Sequence, residues 1–340
     1  MTLITEKLRE FAILIRIQNL GTSITAVMGA LTVKGFNLEL LDFLLLFLMA
    51  AIINVGGQII NDIEDIQIDK NSKELINRPL VKGTISTKTA KIIVILCLIL
   101  LLSIAFGYYF NFIALAVLFS SMFFGYLYNL FSKKIPGSDT FLSISFALFF
   151  LYGAIVVTDN LQSLLDVKPL TWIVFGMVFA HVQIQNSFQG GLKDAKNDRE
   201  AGARTLAVFL GVKANEKLYI PLSFKAISLS LDVLMIILVI LPFISSEFEY
   251  SLAQPILLVL AIIGMLYSAV KLLTLKTFDR KKIKANLRNH EILRYALVPI
   301  LLLNIIGIPW ALFLILCPMI WLLLFNYILY RDSWSNPKLY

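Results

Sequence analysis

Cysteine, histidine and charge are all scarce in this 340-residue chain: it has two cysteines, two histidines and 15% charged residues. Cys97 and Cys317 lie inside apolar runs with no Cys or His at metal-ligand spacing, so they read as packing residues. No segment resembles a soluble domain, a linker or a low-complexity tract. A removable signal peptide is not expected, because Glu6, Arg9 and Glu10 precede an apolar run that contains Arg16 and lacks a small-residue cleavage pattern. The first helix is therefore expected to stay in the membrane. What fills the chain is apolar: 59% hydrophobic residues and a mean hydropathy of +0.82, far from the balance of a soluble globular domain. The fold class expected is an all-α polytopic membrane protein. In such a chain the net charge of +8 speaks for Lys and Arg in loops beside anionic lipid and against nucleic acid as a partner.

A bilayer crossing needs about 20 apolar residues. On that measure spans are expected over roughly 11–33, 41–60, 89–107, 112–130, 141–157, 171–189, 219–241 and 255–275, followed by an apolar block over 295–330. Gly307, Pro309 and Pro318 interrupt that block, which reads as two short spans meeting near Gly307 to Pro309. Basic residues follow the even-numbered spans: Lys70, Lys73, Arg78 and Lys82, then Lys133 and Lys134, then Lys193 to Lys217, then a loop from Lys276 to Arg294. By the positive-inside rule these loops and the amino terminus are cytoplasmic. Ten spans return Arg331 and Lys338 to the same side and nine do not, so ten is preferred and nine retained. One transmembrane domain over 1–330 is expected, with 310–330 as a further helix and 331–340 as a short polar tail.

Acid, amide and base concentrate abruptly after the second span. Asp62, Asp65 and Asp69 stand at i, i+3 and i+7, on one face of a helix, with Glu64 opposite. Three like charges on one face repel, and a hard divalent cation with oxygen ligands relieves them. Four spans later Asp194 and Asp198 share a second helix face, and Gly202 is a natural helix stop. Both clusters are interleaved with Lys70, Lys73, Arg78, Lys193, Arg199 and Arg204. Acids with bases suggest a metal-bound phosphate, because Mg²⁺ keeps few protein ligands and shares substrate phosphate oxygens that Arg or Lys also contacts. Arg16 and Asn19 share a face of the first span, and Arg16 either snorkels to the interface or reaches the site. Tyr126, Tyr128 and Asn129 close the fourth span at a depth suited either to an aromatic belt or to lining the site. His181 reads as a hydrogen-bonded core histidine, and His290 as a residue of a basic loop with nothing at metal spacing.

At these residues the sequence resembles the UbiA-type family of intramembrane prenyltransferases. Their signature is N-D-x-x-D-x-x-x-D after the second helix, here Asn61, Asp62, Asp65 and Asp69, and D-x-x-x-D after the sixth, here Asp194 and Asp198. Arg78-Pro79 followed by G-T-I-S, the Y-x-x-x-x-K run from Tyr128 to Lys133, and Gly202 with Thr205 match as well. Gly190 and Gly191 depart from relatives that carry an acid or amide there, which implies a thinner second metal shell. The resemblance implies a bundle of nine helices around a lateral cavity, with Mg²⁺ and a polyprenyl diphosphate under a cytoplasmic cap. It implies Asp62, Asp65, Asp69, Asp194 and Asp198 as metal-binding catalytic residues. Asn61, Arg78, Lys73, Lys133, Lys193, Arg16, Asn19 and Tyr128 are the expected substrate contacts. Loss of diphosphate would leave an allylic cation in a dry, aromatic-walled cavity, captured by a nucleophilic acceptor.

The leading expectation for the acceptor is a lipophilic or aromatic quinone precursor, and the alternative is a glycerol-phosphate lipid, as in archaeal-type ether lipids. A divalent cation transporter is the rival of another class. Transporters more often bury their acids near the bilayer midplane, whereas these cluster at helix ends among bases. The D-G-x-x-A-R opening of CDP-alcohol phosphotransferases is absent.

Overall fold

The computed structural model describes residues 3–70, 76–215, 217–245 and 248–330. Lys73 and the polar tail over 331–340 lie outside the described residues. Helices α1 (Leu3–Leu14) and α2 (Thr25–Lys34) flank a 3-10 turn over Ile17–Thr22. Then come α3 (Leu40–Glu64), the one-turn helices α4 (Ile66–Asp69) and α5 (Pro79–Lys82), α6 (Thr87–Gly107), α7 (Phe112–Phe131) and α8 (Asp139–Val156). α9 (Pro169–Gln183) runs through a π-helical stretch, Ile184–Gly190, into α10 (Gly191–Glu200). After α11 (Leu206–Phe209), strands β1 (Lys213–Ala214) and β2 (Leu218–Tyr219) form a minimal antiparallel pair. The chain continues through α12 (Leu222–Ile240), α13 (Ala253–Leu273), α14 (Arg280–Leu301) and α15 (Leu303–Tyr330).

Local chemistry sets the helix starts. The Ser86 hydroxyl accepts from the Thr89 amide ahead of α6, and the Asn111 side chain accepts from the Ile113 and Ala114 amides ahead of α7. Seven helices among the described residues are long and apolar enough to cross a membrane, and the pair Glu6–Leu14 and Ile17–Asn37, bent by 42°, makes an eighth. Burial separates centre from rim: 56% of the apolar window of α8 is enclosed, against 17% for α6 and α15. On α6, Ile92, Ile95, Leu96 and Ile99 are exposed, an outward apolar face that suits lipid. The central seam is between α2 and α8, where a Cβ on Gly29 would come within 1.9 Å of the Phe150 carbonyl and one on Gly153 within 1.9 Å of the Ala26 carbonyl. Small residues bring the two backbones together, the usual solution where the solvent is as apolar as the side chains.

Two expectations change. The sixth span does not end near Gln189; the π-helical stretch carries the helix into α10 without a break. Polar side chains stabilise that stretch, since the Asn186 amide donates to the Val182 carbonyl and the Gln183 amide to the Ser187 hydroxyl. The segment from Arg280 to Arg294 is the first part of α14 rather than a loop. Ile283, Leu287, His290, Arg294, Leu297 and Leu301 form one buried stripe at helical spacing, which offsets the polarity of the rest. The last block does break where expected, at Gly307, which at φ 74° and ψ 166° interrupts α15 near its start, and α14 hands over to α15 at Leu302.

Candidate functional site

The first half of the site grows from the end of α3. Asp65 closes that helix in a helical conformation, its amide bonded to the Asn61 carbonyl and its carbonyl to the Asp69 amide, so α4 continues the same face across the junction. Asp62, Asp65 and Asp69 are 5%, 8% and 1% exposed, whereas Glu64 faces outward. A small apolar cluster of Leu14, Ile59, Leu80 and Ala90, with Ile63, Ile66 and Ile85 against it, seats this segment.

Three cations from three other elements meet the three carboxylates. Arg16 Nη2 lies 2.5 Å from Asp62 Oδ1. Arg78 Nη1 lies 3.1 Å from Asp62 Oδ1 and 2.6 Å from Asp69 Oδ2. Lys133 Nζ, just beyond α7, lies 2.8 Å from Asp65 Oδ2, which also accepts from the Asn61 amide at 3.3 Å. Backbone restrictions deliver both arginines. Pro79 keeps Arg78 extended, at φ −64° and ψ 142°, just outside α5. Arg16 sits in the left-handed region at φ 47° and ψ 53°, a conformation that costs a non-glycine residue about 1–3 kcal/mol and that clusters at functional sites. Arg16 is thus turned onto Asp62. Burial pushes the Asp69 carboxyl above its usual range against the pull of Arg78 and Lys133, and its Oδ1 is buried with no hydrogen-bond partner among the described residues.

The second half is α10. Its core side, Leu192 and Ala195, packs into a cluster with Phe188, Ala207, Val212, Phe224, Leu272 and Ile283. Asp194 Oδ2 lies 3.3 Å from Lys193 Nζ. Asp198 accepts from the Thr205 hydroxyl at 3.2 Å, and burial, reinforced by Asp194, pushes its carboxyl up to about 6. Lys133 joins the halves: its amine holds Asp65, its charge also acts on Asp198, and its carbonyl accepts from the Arg204 amide at 2.8 Å. Tyr128, in the last turn of α7, lies in the combined field of Asp139, Asp65, Arg16 and Asp198.

Asp139 is the acid that sequence reasoning missed. It opens α8, accepts from the Ser187 hydroxyl at 2.9 Å, and acts on both Asp198 and Tyr128. Ser187 belongs to the π-helical stretch, so this bond ties the segment that aims α10 to the site. An acid at the start of an apolar span was the available signal. Asn19 contributes through its backbone, its amide bonded to the Arg16 carbonyl; among the described residues its side chain bonds to neither carboxylate array. His181 accepts from Arg294 Nε at 3.2 Å, as a core histidine should. His290, expected in a loop, is instead buried beside Gln189 and Asp232.

Among the described residues no group of three Asp, Glu, His or Cys side chains converges closely enough to hold an ion alone. The oxygen set still fits Mg²⁺: the acids are hard and buried, Asp69 Oδ1 has no partner among the described residues, and Mg²⁺ takes only one or two carboxylates before water and phosphate oxygens.

Comparison with known proteins agrees with this geometry. The sequence model of the UbiA prenyltransferase family matches residues 22–293. The chain belongs to the UbiA prenyltransferase family. It is accordingly a membrane prenyltransferase, and the transporter reading falls away. Over 258 residues, 75% of this UbiA-family chain and 84% of the relative, it is 28% identical to the digeranylgeranylglyceryl phosphate synthase of Saccharolobus solfataricus. Over 208 residues, 59% of this chain and 69% of the relative, it is 30% identical to that of Sulfolobus acidocaldarius. Its fold resembles a solved digeranylgeranylglyceryl phosphate synthase structure with a TM-score of 0.67 at 23% identity, covering 88% of this chain and 99% of that one. A UbiA homologue from Archaeoglobus fulgidus bound to GPP and Mg²⁺ superposes with a TM-score of 0.59 at 18% identity, covering 85% and 99%.

Proposed function

We propose that this UbiA-family enzyme transfers a geranylgeranyl-type prenyl group from its diphosphate to the free hydroxyl of a prenylated glycerol-phosphate lipid. The observation that carries the site is the buried set of three carboxylates matched by Arg16, Arg78 and Lys133, with Asp194 and Asp198 adjoining. The acceptor rests on the relatives, which are named digeranylgeranylglyceryl phosphate synthases. They favour the glycerol-phosphate alternative over the quinone-precursor reading that led from sequence.

Bound Mg²⁺ supplies positive charge that stabilises the departing diphosphate. Asp62, Asp65, Asp69, Asp194 and Asp198 are the proposed metal ligands. Arg16, Arg78 and Lys133 neutralise the acids, and with a divalent cation on those acids their donors would be free for phosphate oxygens. Lys193 and Asn61 border the same site. The carbon–oxygen bond of the allylic diphosphate breaks with its electron pair leaving on diphosphate. The acceptor hydroxyl forms the new ether bond, and its proton passes to a carboxylate or to the released diphosphate. Tyr128, in the field of the same acids and Arg16, is the ring proposed to attract the developing cation.

The test is incubation of purified protein with Mg²⁺, geranylgeranyl diphosphate and either geranylgeranylglyceryl phosphate or an aromatic acid, with products identified by mass. A doubly prenylated glyceryl phosphate that disappears on chelation of Mg²⁺ is expected. Product from the aromatic acid alone would overturn the acceptor assignment.

A further inference from the structure

The family match covers 22–293, so it includes neither the Arg16 turn nor α15. These two pack on one another. The indole of Trp321 donates to the carbonyl of Ile17, the residue next to Arg16, at 2.7 Å. A Cβ on Gly21 would come within 2.5 Å of Trp321 Cβ and 3.2 Å of Pro318 Cα, so α15 lies closer to the turn than a side chain at this position would permit. Ala311, Leu314, Pro318 and Leu329 are buried along one stripe of α15, and α14 packs beside it. A separate tie holds α1, where Arg9 donates to the Leu329 carbonyl at 3.0 and 3.2 Å.

The turn needs such support. Arg16 is one of two non-glycine residues at positive φ among the described residues, and this conformation sends its guanidinium to Asp62. Its carbonyl accepts from the Asn19 amide, and the Thr22 hydroxyl caps the Asn19 carbonyl. These bonds close the turn on itself, whereas the indole fixes it against another helix. A strained conformation persists only where its surroundings over-determine it.

We propose that Trp321 of α15 is a positioning residue for catalysis, holding the left-handed turn that places Arg16 on Asp62. α15 is then part of the diphosphate-binding apparatus although it contributes no group to the site. This rests on the assignment of Asp62 and Arg16 to the diphosphate site.

The experiment uses the full chain in lipid nanodiscs and titrates geranyl diphosphate with Mg²⁺ present. Trp321→Phe keeps the ring and removes the donor; loss of one hydrogen bond predicts a Kd raised about three- to tenfold. Arg16→Ala is expected to weaken binding further, and the double variant to bind no worse than Arg16→Ala, because Trp321 acts through Arg16. Arg9→Gln, which cuts the other tie of α15, is expected to bind as the natural protein does. Should Trp321→Phe not fold, Gly21→Ala applies the same displacement from the other side, with the same expected rise. Unchanged binding by the Trp321 or Gly21 variant, multiplied effects in the double variant, or an Arg9→Gln loss equal to that of Trp321→Phe each overturn the proposal. An Arg16→Ala variant of undiminished affinity overturns the site assignment itself, a failure distinct from that of α15.

Discussion

Replacement of Arg78 by alanine tests the charge matching of the site most directly. Its guanidinium holds Asp62 at 3.1 Å and Asp69 at 2.6 Å, and the side chains are 14%, 6% and 1% exposed. Removing one partner of a buried pair leaves an uncompensated charge and costs about 3–5 kcal/mol. Asp62 keeps Arg16, so most of the loss falls on Asp69, whose other oxygen has no partner among the described residues. Without Arg78 its carboxyl is pushed further above its usual range. A bound divalent cation replaces the lost charge, so the metal-free protein should lose about 3–5 kcal/mol while the Mg²⁺-bound protein loses less. Denaturant unfolding in mixed micelles, with and without Mg²⁺, reads both numbers. The stabilisation conferred by Mg²⁺ should therefore be larger in Arg78→Ala than in the natural protein. Arg78→Lys keeps the charge without the planar fork and should fall between. Equal losses with and without Mg²⁺ would refute the view that Arg78 and the metal neutralise the same carboxylates.

At the α2–α8 seam, Gly153→Ala places a methyl group 1.9 Å from the Ala26 carbonyl and should cost about 1–3 kcal/mol or more. Gly57→Ala, with nothing within 4 Å, is the control, and comparable unfolding of the two would contradict close packing there. Asp198 predicts a pH dependence. Its carboxyl rises from 3.8 to about 6 on folding, so its contribution to stability is greatest below the unfolded value and is lost as pH rises through about 6. For function the sign is opposite. Below about pH 6 Mg²⁺ must displace a proton, and its half-saturating concentration should climb by up to about tenfold per pH unit. Prenyl-transfer assays across that range check it, and a Mg²⁺ requirement flat through pH 6 would remove Asp198 from the metal site.

The carboxylate arrays were legible because their information is local. Asp62, Asp65 and Asp69 need only helical periodicity to share a face, and the structure keeps that face through Asp65, whose backbone stays in the helical region where α3 gives way to α4. Arg78 was legible for the same reason, since a following proline dictates an extended backbone. Asp139 was not, because a lone acid at a helix start acquires meaning only when Ser187 arrives from another helix. The first part of α14, up to Arg294, was misread as a loop because its charge count hides a buried stripe whose polar members, His290 and Arg294, count against burial until Asp232 and His181 meet them.

Composition and period thus determined by themselves that this is a helical membrane protein with two acidic arrays, since hydropathy and the 3.6-residue repeat are properties of short windows. Tertiary structure alone decided which cation answers which carboxylate, that the sixth span runs on through a π-helical stretch into α10, and that α15 reaches the Arg16 turn. Those contacts join residues far apart in the chain, and only packing sets such distances.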